Sequence, residues 1–216
     1  MRNESDRVAA IYEGKLAAKY DRTMSRFFDE KKREALSHTT ISRGDRVLVM
    51  CCGTGRDFAP LLERIGTSGV IVAVDRSRAM LDHAKRRALD RGWFNIEFIE
   101  ADARQRHSLG GPVDAAVCTL ALSTIPESLS VYGRMVSAVR PGGYIVVGDM
   151  QLATGWRSIS NLISVPLSRS FGGSWNGHRR SREISWRMLR ELEGAKKKQF
   201  CFGAYFYSVG KKPEGS

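Results

Sequence analysis

"VLVMCCGTGRDF", residues 47–58, is the stretch on which the reading of this chain turns. A β-branched run enters a bend carrying Gly53 and Gly55 and leaves it as a segment of helical composition. That arrangement lets backbone amides approach a nucleotide-like ligand without a Cβ in the way. Two cysteines, Cys51 and Cys52, stand where such bends usually carry a glycine, and no acid interrupts the strand. The stretch is a strand–turn–helix with altered chemistry at its bend.

The surroundings repeat the pattern. Apolar, β-branched runs occur at 46–51, 70–75, 96–102, 113–120 and 143–150, with helical stretches at 57–65, 77–92 and 127–140 between them. Pro141-Gly142-Gly143 is read as the stop between the last helix and the last of these strands. Strands alternating with helices of this length predict βαβ units and a parallel sheet. Strands apolar nearly throughout predict helices on both faces. A helical segment over 6–36 precedes the sheet. After Met150 the pattern changes: residues 151–198 hold ten Lys/Arg against three Glu, three of the four tryptophans, and "FGGSWNG" (171–177), read as a turn. The stretch "KQFCFGAYFYSVGKK" (198–212) predicts two closing strands around Gly203.

Composition narrows the class. With 216 residues, 42% hydrophobic and 27% charged, the chain suits one globular domain over 1–216. No run of about 18 apolar residues predicts a membrane-spanning helix, and the charged start "MRNESDRVAA" lacks a signal-peptide core. The expected location is the cytoplasm, with peripheral contact at a membrane left open. Four cysteines outside any C-x-x-C pair, and four histidines without zinc-ligand spacing, argue against a metal site. A net charge of +12 points to an anionic partner: nucleic acid, a lipid surface or a phosphate-bearing substrate.

In an open α/β sheet, ligands sit at the carboxyl ends of the strands. Gly53 and Gly55 fall there. Asp75 ends the second strand, where a carboxylate can accept both hydroxyls of a ribose, and Asp102 ends the third, placed for an exocyclic amine. A nicotinamide-binding domain would share the turn and the first acid, but it would want a third glycine near Asp57 or Phe58.

The ordered motifs "VLVMCCGTG", "VIVAVDRSRAML", "EADA", "CTLALSTIP" and "VRPGGYIVVGDM" resemble those of the class I S-adenosylmethionine-dependent methyltransferases over residues 20–150. The resemblance implies a Rossmann-like α/β fold: a mostly parallel seven-stranded sheet with helices on both faces and an antiparallel C-terminal strand. It implies S-adenosyl-L-methionine as cofactor, with Cys51, Gly53 and Gly55 bordering its methionine part and Asp75, with Arg76 beside it, at the ribose. Met80 is then expected on the adenine face, Asp102 and the Ala103 amide at the adenine edge, and Thr119 at the end of the fourth strand beside the cofactor. Tyr20, in "AAKYDRTMS", matches a tyrosine that covers the cofactor, and with His178 it is a catalytic candidate. The domain divides on this view into a lid (1–36), a cofactor-binding core (45–150), an acceptor-pocket segment (151–198) and closing strands (199–212).

Two positions depart from the family pattern apolar-Asp-apolar-Gly-Cys-Gly-Thr-Gly. Val49 replaces the acid and Cys51 the first glycine. Cysteine is small enough to stand in for glycine if the backbone there is extended, and Asp57 is a candidate substitute for the missing acid, unless it caps the following helix.

The fourth-strand region, "CTLALSTIPE", has neither the Asn/Asp-Pro-Pro-aromatic tetrad of adenine methyltransferases nor a cysteine beside a proline. It resembles the phosphatidylethanolamine N-methyltransferase and quinone C-methyltransferase group. The quinone enzymes' extended Asn-x-Arg-Asp signature is absent, which favours a nitrogen or oxygen acceptor. Arg179, Arg180 and Arg182 are candidates for a phosphate, and Trp175 or Trp186 for a cationic amine. The implied partners are a small-molecule or lipid acceptor and an anionic membrane surface, with nucleic acid second. An RNA methyltransferase using the basic face and a non-catalytic cofactor-binding regulator stay open as alternatives.

Overall fold

The computed structural model describes residues 25–215. In chain order the elements are α1 (Ser25–Leu36), β1 (Arg46–Met50), α2 (Phe58–Ile65), β2 (Val70–Asp75), α3 (Arg78–Asp90), β3 (Ile96–Glu100), β4 (Val113–Thr119), α4 (Ser128–Ala138), β5 (Val139–Met150), α5 (Asn161–Ser168), α6 (Trp175–Glu191), β6 (Glu193–Phe200) and β7 (Tyr205–Lys211). Short 3₁₀ turns lie at Leu122–Thr124, Gly155–Ser160, Arg169–Phe171 and Cys201–Gly203.

The seven strands form one sheet in the order β3-β2-β1-β4-β5-β7-β6. β1 to β5 pair in parallel, and β7 runs antiparallel to both β5 and β6. The expected sheet, with its reversed C-terminal part, is the one observed. Strand alternation sorts the core into two layers. Leu48, Met50, Val72, Val74, Ala116, Cys118, Ile145 and Val147 face α4 and α6, whose Val131, Met135, Ile184 and Met188 close over them. Val47, Val49, Ile71, Ala73, Ala115 and Val117 face the other way, under Leu36, Phe58, Leu61, Leu81 and Ala84 of α1, α2 and α3. The central strands β1, β2 and β4 read as continuous apolar runs because nearly every residue, whichever face it points to, is covered, whereas β3 at the edge carries exposed Glu97 and Glu100.

Helix α1 buries Phe28, Lys32, Ala35 and Leu36, an i, i+4, i+7, i+8 stripe, and Phe28 stacks at 4.4 Å on Tyr205. The predicted helix over 6–36 is described only from Ser25 on; Tyr20 lies outside the described residues.

Three boundaries differ from the sequence reading. β5 starts at Val139, with a register shift across the Pro-Gly-Gly bend before Tyr144 takes up pairing with Ala115. β6 begins at Glu193, earlier than the predicted closing strands, because it is an exposed edge strand and lacks an apolar signature. The "FGGSWNG" stretch is a turn only at its start. Ser174 caps a 17-residue helix by accepting from the Gly177 amide at 3.0 Å, so Arg179, Arg180 and Arg182 belong to a helix. Gly177 punctuates the sequence, yet it is needed for packing: a Cβ there would lie 1.8 Å from the Ser123 carbonyl oxygen.

Candidate active site

Crossovers diverge on either side of the β1–β4 pair, and a cleft opens at the carboxyl ends of these strands. Eight of the ten expected cofactor residues line it: Cys51, Gly53, Asp75, Arg76, Met80, Asp102, Ala103 and Thr119. Gly53 takes φ 53°, and a Cβ added to it would meet nothing within 4 Å, so the bare Cα faces open cleft. Gly55 serves differently. At φ 78°, its missing Cβ makes room for the Phe58 ring, which would otherwise lie 2.4 Å away, and it does not line the cleft. The ring it admits anchors α2 beneath the turn.

Cys51 corrects the sequence reading. Its backbone is not extended; φ is 56°, the left-handed conformation in which glycine is at home. Leu120, just past β4, is also left-handed, at φ 54°, with its amide on the Gly148 carbonyl at 2.7 Å. Two non-glycine residues held in this region, on neighbouring strands and both lining the cleft, mark backbone that the surroundings force into place. The neighbouring Cys51 thiol and complete burial push the Cys118 thiol far above its usual range. Cys118 is an inert core residue.

Asp75 is buried, and its carboxylate is fixed by the turn it faces: one oxygen accepts from the Gly53 amide at 2.8 Å, the other from Ser77 at 2.9 Å. Burial raises its pKa, and these backbone bonds oppose the rise. Val49 lies in the apolar layer, registered between Ala73 and Val117, where nothing polar meets it. The acid of the turn is at Asp57. It makes no side-chain cap to α2; it forms a buried ion pair with Lys32 of α1 at 2.9 Å and accepts from the Thr119 hydroxyl at 2.7 Å. Asp102 is already engaged: Arg104 grips it with Nε at 3.0 Å and Nη2 at 2.7 Å, and this guanidinium holds the carboxyl below its ordinary range.

Sequence reasoning missed Lys32, Arg104 and the cleft's apolar rim of Leu120, Ala121, Ile125 and Pro126. Arg104 has a local signal, two residues after an acid that ends a strand. Lys32 has none, since only the packing of α1 brings it in. The rim is anchored by Asp149, fully buried, which accepts from the Ser123 amide and hydroxyl, each at 2.7 Å. Burial raises that carboxyl to about 6.

His178 is not brought to the cleft. It is fully buried in α6, with Nε2 3.1 Å from the Ser168 hydroxyl, and burial lowers its pKa to about 4. Arg182 reaches the Leu152 carbonyl at 3.4 Å, and none of Arg179, Arg180, Arg182, Trp175 or Trp186 lines the cleft. No group of three or more metal-ligating side chains occurs among the described residues, and no described helix is long and apolar enough to cross a membrane.

Residues 47–143 match the family model described as a methyltransferase domain. The chain is 31% identical, over 156 residues, to the ubiquinone/menaquinone biosynthesis C-methyltransferase UbiE of Coxiella burnetii, covering 70% of this chain and 62% of that protein. It therefore spans less than two thirds of that relative's length. It is 23% identical to the demethylmenaquinone methyltransferase of Anoxybacillus flavithermus across 99% of this chain and 98% of that one. An O-methyltransferase family protein from Burkholderia thailandensis superposes with a TM-score of 0.71 at 17% identity, over 93% of this chain and 60% of that one, a likeness of fold. Residues 47–143 thus carry a match to a methyltransferase domain, and with the sheet order and the acids at the ends of β2 and β3 these similarities support the resemblance to the class I S-adenosylmethionine-dependent methyltransferases.

Proposed function

We propose that this chain transfers a methyl group from S-adenosyl-L-methionine to a small amphiphilic acceptor, at nitrogen or oxygen. The observation that carries the proposal is the division of the cleft: fixed polar groups from β1, β2 and β3 along its floor, and an apolar rim from Leu120 to Pro126. The cofactor supplies, when bound, a methyl group activated on a sulfonium. Asp75, buried and oriented by two amides, is suited to a ribose diol. Met80 offers an apolar face to adenine and the Ala103 amide a hydrogen bond at its edge, while Asp102 beside it is held by Arg104. The Lys32–Asp57 pair presents both charges next to the turn, matching an amino-acid end that carries an ammonium and a carboxylate. Among the described residues no histidine lines the cleft. Positioning then does most of the catalytic work, which suits an amine lone pair or an already ionised oxygen.

A second reading, carbon methylation of a quinone precursor, is favoured by the names of the relatives in Coxiella and Anoxybacillus. Methyl-labelled cofactor is incubated with protein and a cell extract, which is then separated into phospholipid, quinone, water-soluble and RNA fractions. Label in phospholipid or in a water-soluble amine or phenol supports the first reading. Label in the quinone fraction supports the second, and label in RNA overturns both. Asp75→Ala should weaken cofactor binding by about tenfold or more, the value of a charged hydrogen bond; unchanged affinity in a folded variant removes Asp75 from the site.

A further inference from the structure

Residues 151–170 fold as an amphipathic segment turned inside out. Ile159, Leu162, Ile163 and Leu167 recur at i, i+3, i+4 and i+8, the spacing of a core-facing helix stripe. Here that stripe faces solvent, with Ile163 74% exposed. Trp156, 76% exposed, extends it at one end, and Phe202, 72% exposed, adds to it from the β6–β7 turn, where the Ser160 hydroxyl meets the Phe202 carbonyl at 3.5 Å. The inward face carries Asn161 and Ser168 on either side of the fully buried Val165. Asn161 is buried and bonds both the amide and the carbonyl of Ala153, at 2.8 and 3.0 Å, while buried Ser168 pairs with His178. The bonds of Asn161 and Ser168 hold this face inward, and inverting the helix to hide its apolar stripe would orphan these two groups. Soluble proteins rarely leave so many large apolar side chains together in water unless another surface covers them.

Charge identifies the cover. From Met150 to Arg182 there is no Asp or Glu, while Arg157, Arg169, Arg179, Arg180 and Arg182 all fall in that interval. Arg157 and Arg169 are exposed and bracket the stripe, and the Arg157 guanidinium lies over the Trp156 ring at 5.5 Å. Apolar side chains including a tryptophan, bracketed by Arg157 and Arg169 in a stretch of sequence without an acid, match the interface of an anionic bilayer. The segment leaves β5 at its carboxyl end, and β5 is parallel to β4, whose carboxyl end borders the cleft. A surface docked there would lie on the cleft's side of the sheet.

We infer that the outward stripe from Trp156 to Leu167, with Phe202, docks this protein on an anionic lipid surface. The inference extends the proposed amphiphilic acceptor by naming how the enzyme reaches it, but docking is measured with neither acceptor nor cofactor present. The full chain is sedimented with phosphatidylcholine vesicles, with and without phosphatidylglycerol, at low and high salt. Binding should require phosphatidylglycerol and weaken as salt rises. Ile163→Glu with Leu167→Glu should lower binding by about tenfold or more, since each loses the burial of a large aliphatic side chain. Melting temperature and cofactor affinity should stay at wild-type values, because neither residue lines the cleft. Arg157→Glu with Arg169→Glu should weaken binding to the anionic vesicles selectively. Wild-type protein that leaves anionic vesicles unbound, equal binding to both vesicle types, or a stripe variant that binds like wild type overturns the inference. So does light scattering that shows a dimer converted to monomer by the stripe variant, which would make the stripe a contact between two copies of this chain. Label found in RNA, or in no acceptor, would defeat the proposed activity while leaving vesicle binding intact, so the two failures are distinguishable.

Discussion

Cys51 shows how much one dihedral angle changes a residue's meaning. With φ at 56°, its Cβ is held in a conformation that disfavours any side chain by about 1–2 kcal/mol, set against glycine's larger loss of chain entropy on folding. Cys51→Gly should therefore leave stability unchanged or raise it by up to about 1 kcal/mol, whereas Cys51→Val, β-branched, should lower it by about 2 kcal/mol or more. Urea unfolding of both variants checks the pair, and a valine variant as stable as wild type would contradict the left-handed assignment. His178 gives a pH-dependent counterpart. Burial lowers its pKa from 6.5 to about 4, so the fold favours the neutral ring. Its contribution is complete above about pH 6.5 and is lost as pH falls towards 4, because only the unfolded chain takes up the proton across that window. The stability difference between wild type and His178→Gln should shrink by up to about 3 kcal/mol over that interval. A pH-independent difference would show that the ring titrates normally.

At the scale of elements, α6 and the Leu122–Thr124 turn are fitted by a missing methyl group. Gly177 in the first turn of a helix is unfavourable by propensity, and alanine would ordinarily gain about 1 kcal/mol. The Ser123 carbonyl oxygen leaves no room for it. Gly177→Ala should instead destabilise by about 2 kcal/mol or more and weaken cofactor binding, since the displaced turn carries the rim residues Thr124 and Ile125. Thermal unfolding alongside calorimetry with the cofactor tests both parts; a more stable variant would mean that α6 is not packed on that turn. The same contact explains why the helix was illegible in sequence: a glycine among asparagine and serine reads as a turn until the partner backbone is known.

For the whole molecule, β6 is an edge of the sheet, and its open side is guarded by charge. Lys196 and Lys198 project on one face, both exposed, with Lys198 paired to Glu34 of α1, while Lys197 turns inward to Gln151 and Ser185. Lysines on an edge strand discourage pairing with another chain. Lys196→Val with Lys198→Val should raise the β-propensity of that edge and cause concentration-dependent aggregation, seen as growing light scattering below the melting temperature. A variant that stays monodisperse would show that twist or neighbouring side chains protect the edge without the lysines.

Sequence by itself determined the parallel core of this protein, because strands covered on both faces are written as uninterrupted apolar runs and the breaks between them are written in Gly, Pro and Asp. It also placed the carboxyl-edge residues: Asp75, Met80 and Asp102 meet in one cleft because each ends or follows a strand, and parallel pairing brings those ends together. Tertiary structure decided the rest. The left-handed turn at Cys51, the buried reach of Lys32 to Asp57 and the removal of His178 from the cleft depend on which elements pack against which. The outward direction of the Ile159–Leu167 stripe was equally hidden. A periodic pattern fixes that a helix has an apolar face, whereas the polar partners of Asn161 and Ser168 fix which way that face must turn.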